Sequence, residues 1–210
     1  MTDRAVPPPR GRTRTTRTRI LEAARQELER DPDSSLSDIA GAAGVARRTV
    51  YGHFAGRSAL VEGLVEDAAA ALRDALTAIA LPTTDAITAL ARFVLILWPV
   101  GGRYRMLLRL AAQDLGAERV ACVLAPARDT ATALISAGQR QGVFHTSVPP
   151  GALSAAFEAH ILALLECVNT GLWTDDGTRT ATAALIAVGV EGDLAAAYVR
   201  RLRPAERLSG

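Results

Sequence analysis

An all-α protein is what this chain predicts, with a small N-terminal three-helix unit and a larger C-terminal helical one. Three observations carry that expectation. Beyond Thr18 the chain is dominated by Ala, Leu, Arg and Glu, good helix formers, while Gly and Pro fall mainly between apolar-periodic segments. No stretch has the alternation of a half-buried strand. Residues 35–54 read as a short helix, a glycine turn and a second short helix, the spacing of a helix-turn-helix.

The first helix is expected over about Thr18–Arg30. Ile20, Ala24 and Leu28 share one face, with Leu21 beside them, and Asp31-Pro32-Asp33 ends the ladder. A short helix follows over Ser37–Ala43, capped by Ser35, and Gly44 supplies the positive φ of the turn at Gly44-Val45. A third helix runs over Arg47–Phe54, with Gly56 past its end. Leu36, Ile39, Ala40, Ala43, Val45, Val50 and Phe54 are the apolar members that pack these pieces together.

The long fourth segment, Ser58–Ala80, repeats Leu60, Leu64, Ala68 and Leu72 on one stripe and breaks at Leu81-Pro82. Thr84 is read as the cap of the next helix, Asp85–Trp98, closed by Pro99 and Gly101-Gly102. Further segments are Arg103–Leu115, Glu118–Gln141 (which Pro126 starts or kinks), Pro150–Asn169 and Thr178–Arg203. Gly189 and Gly192 can divide the last into two.

Composition removes several chemistries. All 24 basic residues of the 210 are Arg; there is no Lys. A phosphate-binding P-loop, a pyridoxal Schiff base and an S-x-x-K nucleophile pair are therefore excluded. Cys122 and Cys167 have neither metal-ligand nor C-x-x-C spacing, so no metal, cofactor or catalytic residue is expected, and no enzyme. The longest apolar run, Phe93–Val100, is short of the roughly 20 residues that span a bilayer, and the Arg- and Pro-rich N-terminus has no apolar signal core. The expectation is a cytoplasmic protein with no membrane partner.

Charge is unevenly spread. Residues 1–60 hold 11 Arg and 7 acids, a net +4, whereas residues 61–210 hold 13 Arg and 15 acids, a net −2. Residues 1–16 read as a disordered basic arm, either a solvated tail or a strand of cations reaching DNA. The division expected is 1–16 arm, 17–62 helix-turn-helix and 63–210 helical body.

In the second short helix Arg47, Arg48, Thr49, Tyr51 and His53 crowd together with no carboxylate, and Arg57 follows. Donors of this kind suit base edges and phosphates. The segment resembles the tetracycline-repressor (TetR) family of bacterial transcription regulators. The resemblance rests on Ile20-Leu21-x-Ala23-Ala24, Ile39-Ala40-x-x-Ala43-Gly44-Val45, Thr49-Val50-Tyr51-x-His53-Phe54 and Arg57-x-x-Leu60, within residues 17–62. It implies a DNA-binding domain followed by a larger ligand-binding and dimerisation domain. By that resemblance Ser35 and Ser37 hold phosphates at the start of the second helix. Arg47, Arg48 and Thr49 reach bases or phosphates, and Tyr51, His53 and Arg57 hold phosphates. Tyr51 also reads as partly core, and His53 as closing its helix. Ala46 and Gly52 depart from the family pattern, the first removing a side-chain cap and the second a contact.

The resemblance also implies a homodimer that binds a near-palindromic DNA operator and is released by a small-molecule effector, acting as a repressor. The alternative is an activator or nucleoid-associated factor without a ligand. Candidate pocket residues are Trp98, Tyr104, Phe157, His160 and Asn169, although a satisfied core histidine is the favoured reading of His160. The dimer face is expected on the last two long helices, through Ala155, Ala159, Ala163, Ala183, Ala184 and Ala187.

Overall fold

The computed structural model describes residues 10–79 and 85–202, with side chains from Thr15 onward. Among them are ten helices and no strand: α1 (Arg10–Arg30), α2 (Leu36–Ala42), α3 (Arg47–His53), α4 (Arg57–Ile79), α5 (Ala86–Tyr104), α6 (Leu107–Leu115), α7 (Ala117–Arg140), α8 (Pro150–Asn169), α9 (Thr178–Ala187) and α10 (Gly192–Leu202). They form two compact units. One holds the described residues up to Asp67 together with Met106–Arg119; the other holds Ala68–Arg105 and the described residues from Val120 on. Thus α6, expected within the larger body, packs with the first unit.

The first unit is built on the stripe the periodicity marks. Ile20, Leu21, Ala24 and Leu28 of α1 are buried, as are Ile39 of α2, Val50 of α3, and Leu60, Val61 and Leu64 of α4. Each of the Ile, Leu and Val side chains among them contributes about 1.5–3 kcal/mol of transfer free energy. Gly63 allows α4 to approach closely: a Cβ there would lie 2.7 Å from the Phe54 ring. Helix α1 begins at Arg10, not Thr18, so residues 10–16 of the expected disordered arm are helical. Arg17 pairs with Glu66 at 3.0 Å and stacks over Phe54, 5.4 Å from its centroid. Residues 1–9 lie outside the described part.

In the second unit α5, α9 and α10 pack mutually, and α8 packs on α9. Their core includes Ile87, Leu90, Phe93, Val94, Ile135, Phe144, Leu153, Phe157, Leu185 and Val199. Asp85, not Thr84, caps α5, accepting from the amides of Ile87 (3.1 Å) and Thr88 (3.3 Å); Thr84 lies outside the described residues. Helix α5 also continues past its expected stop at Pro99 and Gly101-Gly102. Pro99 faces solvent, while Trp98 and Tyr104 on either side are buried. Gly101 marks a close approach, since a Cβ there would meet Leu165 of α8 at 2.9 Å. The split of the last segment is observed, with Gly189 at φ +102°. By length and composition α5, α7 and α8 are each long and apolar enough to cross a membrane, which the longest unbroken apolar run understates. In α5 much of that apolar surface, including Ile87, Leu90, Phe93 and Val94, is spent inside the unit.

The start of α9 is fixed by one buried carboxylate. Only 2% of the Asp175 side chain is exposed; it accepts from the Thr180 hydroxyl (2.7 Å) and the amides of Thr180 (2.9 Å) and Arg179 (3.2 Å). Trp98 Nε1 donates to its backbone carbonyl at 3.0 Å, joining α5 to this cap. Burial alone would raise the Asp175 pKa, but the Thr180 hydroxyl and the surrounding amides outweigh it and hold the carboxyl below its ordinary value. A depressed folded pKa gives stability that is present above the unfolded pKa, near 3.8, and lost as pH falls through the folded one. Asp175→Asn should therefore cost about 1–3 kcal/mol at neutral pH. In urea titrations the gap between wild type and variant should narrow below pH 4, and a gap constant down to pH 2.5 would contradict the assignment.

Candidate DNA interface

Helix α2 starts with a reciprocal cap. Ser35 Oγ accepts from the amides of Ser37 (3.2 Å) and Asp38 (3.3 Å), while the Asp38 carboxylate accepts from the Ser35 amide (2.9 Å) and hydroxyl (2.6 Å). The Ser35 hydroxyl, that amide and the charge of Arg47 hold the Asp38 pKa below its usual value. The expected Ser35 cap is present, and its hydroxyl is already engaged before any phosphate arrives. Ser37 is half-buried at the same helix start.

The turn into α3 is a Schellman closure. The Val45 amide donates to the Ala40 carbonyl and the Gly44 amide to the Gly41 carbonyl, both at 3.0 Å. Gly44 sits at φ +61°, where a Cβ is strained. Ala46 precedes α3 in extended conformation without a side-chain cap, as its identity dictates.

Val50 and Phe54 anchor α3 in the core, and this decides what faces outward. Arg47, Arg48 and Tyr51 are exposed; Thr49 and His53 are half-buried. Tyr51, expected partly in the core, is 55% exposed, so much of it is presented to solvent. Among the described residues neither Arg47 nor Arg48 has a hydrogen-bond or ion-pair partner, and no acid lies between Arg47 and Arg57. Leu36 and Val45, expected in the core, are half-buried. Gly52 faces open space: a Cβ there would meet nothing within 4 Å. Gly52→Ala should raise the unfolding free energy by about 0.5–1 kcal/mol, read from the urea midpoint, because glycine in a helix interior carries that entropy cost. A drop in midpoint would show that the position is constrained.

Arg57 is placed differently from the other candidates. Its Nη2 donates to the Pro32 carbonyl (2.7 Å), its Nη1 to the Ser34 carbonyl (3.3 Å), and its Nε lies 3.4 Å from Asp114 of α6.

Residues 20–64 match the family model described as bacterial regulatory proteins, tetR family. Residues 20–64 are a tetR-family helix-turn-helix. No curated protein matches the chain in sequence. Solved structures share the fold over most of the length. A gamma-butyrolactone receptor (ArpA-like protein) superposes with TM-score 0.69 at 18% identity, over 90% of this chain and 99% of its own. The MbdR regulator from Azoarcus sp. CIB gives 0.68 at 20%, over 84% and 98%. The fatty acid degradation regulator FadR from Bacillus halodurans gives 0.66 at 18%, over 82% and 97%. The fold expected for the region beyond the tetR-family domain is thus the one these structures have.

The five candidate pocket residues scatter in role. Phe157 packs its ring 6.3 Å from Phe93 in the core. Trp98 is buried and spends its N–H on Asp175. Tyr104 is buried beside Arg103, whose guanidinium lies 5.4 Å from its ring centroid. Asn169 accepts from Arg105 Nε (2.9 Å) and donates to Glu166 (3.1 Å). His160 is half-buried, with a buried Nε2 that has no hydrogen-bond partner among the described residues. An open depression of about 550 Å³ is lined instead by Thr174, Asp175, Asp176, Thr178 and Arg179, and holds none of the five.

Proposed function

We propose that this tetR-family protein is a transcriptional repressor that binds a near-palindromic operator as a homodimer and is released by a small-molecule effector. The observation that carries the DNA reading is α3: two exposed arginines with no hydrogen-bond or ion-pair partner among the described residues, Thr49 and an exposed Tyr51 on a helix locked by Val50 and Phe54. Such a helix presents donors to base edges, with Ser37 and His53 beside it for phosphates.

The dimer reading draws on the outer surfaces of α8 to α10. Ala155, Ala159, Ala163 and Ala187 are exposed, and Ile186 and Leu194 are 49% and 46% exposed. Ala184 is fully buried in the core and is not part of that face. A two-fold dimer would set its α3 helices about 34–36 Å apart, one turn of DNA. The effector reading draws on the likeness to the gamma-butyrolactone receptor and the fatty acid regulator, and on the unpartnered His160 Nε2 within an apolar helix. Of the five candidates, His160 is the one whose unused polar atom favours a ligand contact.

Selection of bound duplexes from randomised DNA tests the first part, and a palindromic consensus is expected. Sedimentation at micromolar concentration tests the dimer; a monomer there would count against the operator geometry. Small molecules screened for release of the selected duplex test the effector, and a duplex that no ligand releases would favour a ligand-free factor.

A further inference from the structure

We propose that Arg57 and Asp114 are positioning residues for DNA recognition: Arg57 clamps the α1–α2 loop to set α2, Asp114 holds the clamp, and neither touches a phosphate. This rests on the DNA-binding reading above and assigns Arg57 a role other than the one its motif implies.

The geometry is specific to a guanidinium. Three nitrogens of one planar group are engaged at once: Nη2 with the Pro32 carbonyl, Nη1 with the Ser34 carbonyl and Nε beside the Asp114 carboxylate. Pro32 and Ser34 belong to the loop between α1 and α2, and Ser34 immediately precedes the Ser35 cap. Ser34 is itself buried, and its amide donates to the Asp31 carbonyl at 3.1 Å. Fixing the two carbonyls therefore fixes where α2 begins and the angle at which it leaves the loop. Among the described residues Asp114 Oδ2 is buried and has no hydrogen-bond partner, and Arg57 Nε, at 3.4 Å, is a cation placed to compensate it. A second brace reinforces this one, since Arg119 Nε donates to Glu62 of α4 at 2.9 Å. The first two turns of α4 are thus tied to α6 at residue 57, through Asp114, and to the start of α7 at residue 62, through Arg119.

Two alternatives make opposite forecasts. A phosphate ligand at Arg57 would be served adequately by lysine, and its loss would lower the salt slope by about 0.9. A lysine ammonium cannot span two carbonyls and a carboxylate in one plane. Likewise, if Asp114 were only a carboxylate near DNA, neutralising it would tighten binding by relieving repulsion. As the holder of the clamp, its neutralisation loosens binding.

The test uses a duplex selected from random sequence by the wild-type protein, titrated by fluorescence anisotropy over a range of salt. Arg57→Lys, Arg57→Ala and Asp114→Asn should each weaken binding about tenfold with the salt slope unchanged. The Arg57→Ala/Asp114→Asn double variant should be no weaker than Arg57→Ala alone. Circular dichroism melting checks that each variant is folded; if Arg57→Ala is not, Asp114→Asn and Arg57→Lys still decide. Wild-type binding by Arg57→Lys, a slope reduced by about one unit in Arg57→Ala, or tighter binding by Asp114→Asn would overturn the assignment. A wild-type protein that selects no duplex would remove the DNA-binding reading itself, and this inference with it.

Discussion

Arg47→Ala combined with Arg48→Ala should abolish sequence-selective DNA binding while leaving the protein folded. Each arginine is expected to contribute about 1–3 kcal/mol if it reads a base, so the pair at additivity loses about 2–6 kcal/mol. The structure makes this a clean experiment. Both side chains are exposed and neither has a hydrogen-bond or ion-pair partner among the described residues, so truncation should move stability by less than about 0.5 kcal/mol. Anisotropy against the selected duplex gives the affinity, and a urea titration of the same samples gives the stability. The single variants separate the roles. A base reader flattens preference at one operator position; a phosphate ligand weakens specific and random DNA alike and lowers the salt slope by about 0.9. Both at near wild-type affinity would sink the assignment of α3 as the reading helix.

What could be read in the sequence of this domain was what local chemistry decides. The Ser35 cap and the left-handed Gly44 turn depend on residues within five positions of one another, the apolar spacing of Val50 and Phe54 marks one face of α3, and all are found as expected. Its place in a motif marks Arg57 as a phosphate ligand. Its partners are 23, 25 and 57 residues away in sequence, and periodicity says nothing about such pairs. Ser35 shows the complementary limit. A serine hydroxyl suits a phosphate contact, but capping α2 and bonding Asp38 engage the same hydroxyl.

In the helical body, periodic segments gave the helices but not their ends. Pro99 and Gly101 read as a stop because proline removes a ladder bond and glycine adds entropy. Burial of Trp98 and Tyr104 on either side outweighs that local preference, and Gly101 serves the contact with Leu165. The large aromatics invited a pocket assignment, yet aromatic burial alone does not distinguish a ligand wall from a packed core. Phe157 went to the core and the indole of Trp98 went to the α9 cap.

The same long-range packing makes a single methyl group at Gly138 the most damaging small change the fold suggests. A Cβ there would lie 2.0 Å from Phe144 Cδ2, 2.2 Å from Cε2 and 2.6 Å from Cγ, inside the ring's van der Waals envelope. The ring has little freedom to retreat. Phe144 is 3% exposed within the core that includes Ile135, Leu153 and Phe157, and the amides of Val143 and Phe144 both donate to the Gly138 carbonyl, at 3.0 and 3.2 Å. Glycine to alanine in a helix interior ordinarily gains about 0.5–1 kcal/mol. Gly138→Ala should reverse that sign and lose about 3 kcal/mol, the scale of overpacking a filled core. Against a total stability of about 5–15 kcal/mol, that is a large fraction. Phe144→Ala, which empties the space, should cost about 3–5 kcal/mol alone. If the clash is the cause, the double variant will be much less destabilised than the two losses added, because the new methyl enters room the ring has vacated. Urea denaturation of the four proteins closes this cycle. A Gly138→Ala protein as stable as wild type, or losses that simply add, would show that the α7 terminus can shift to admit the methyl and that contact with Phe144 is not what demands glycine at 138.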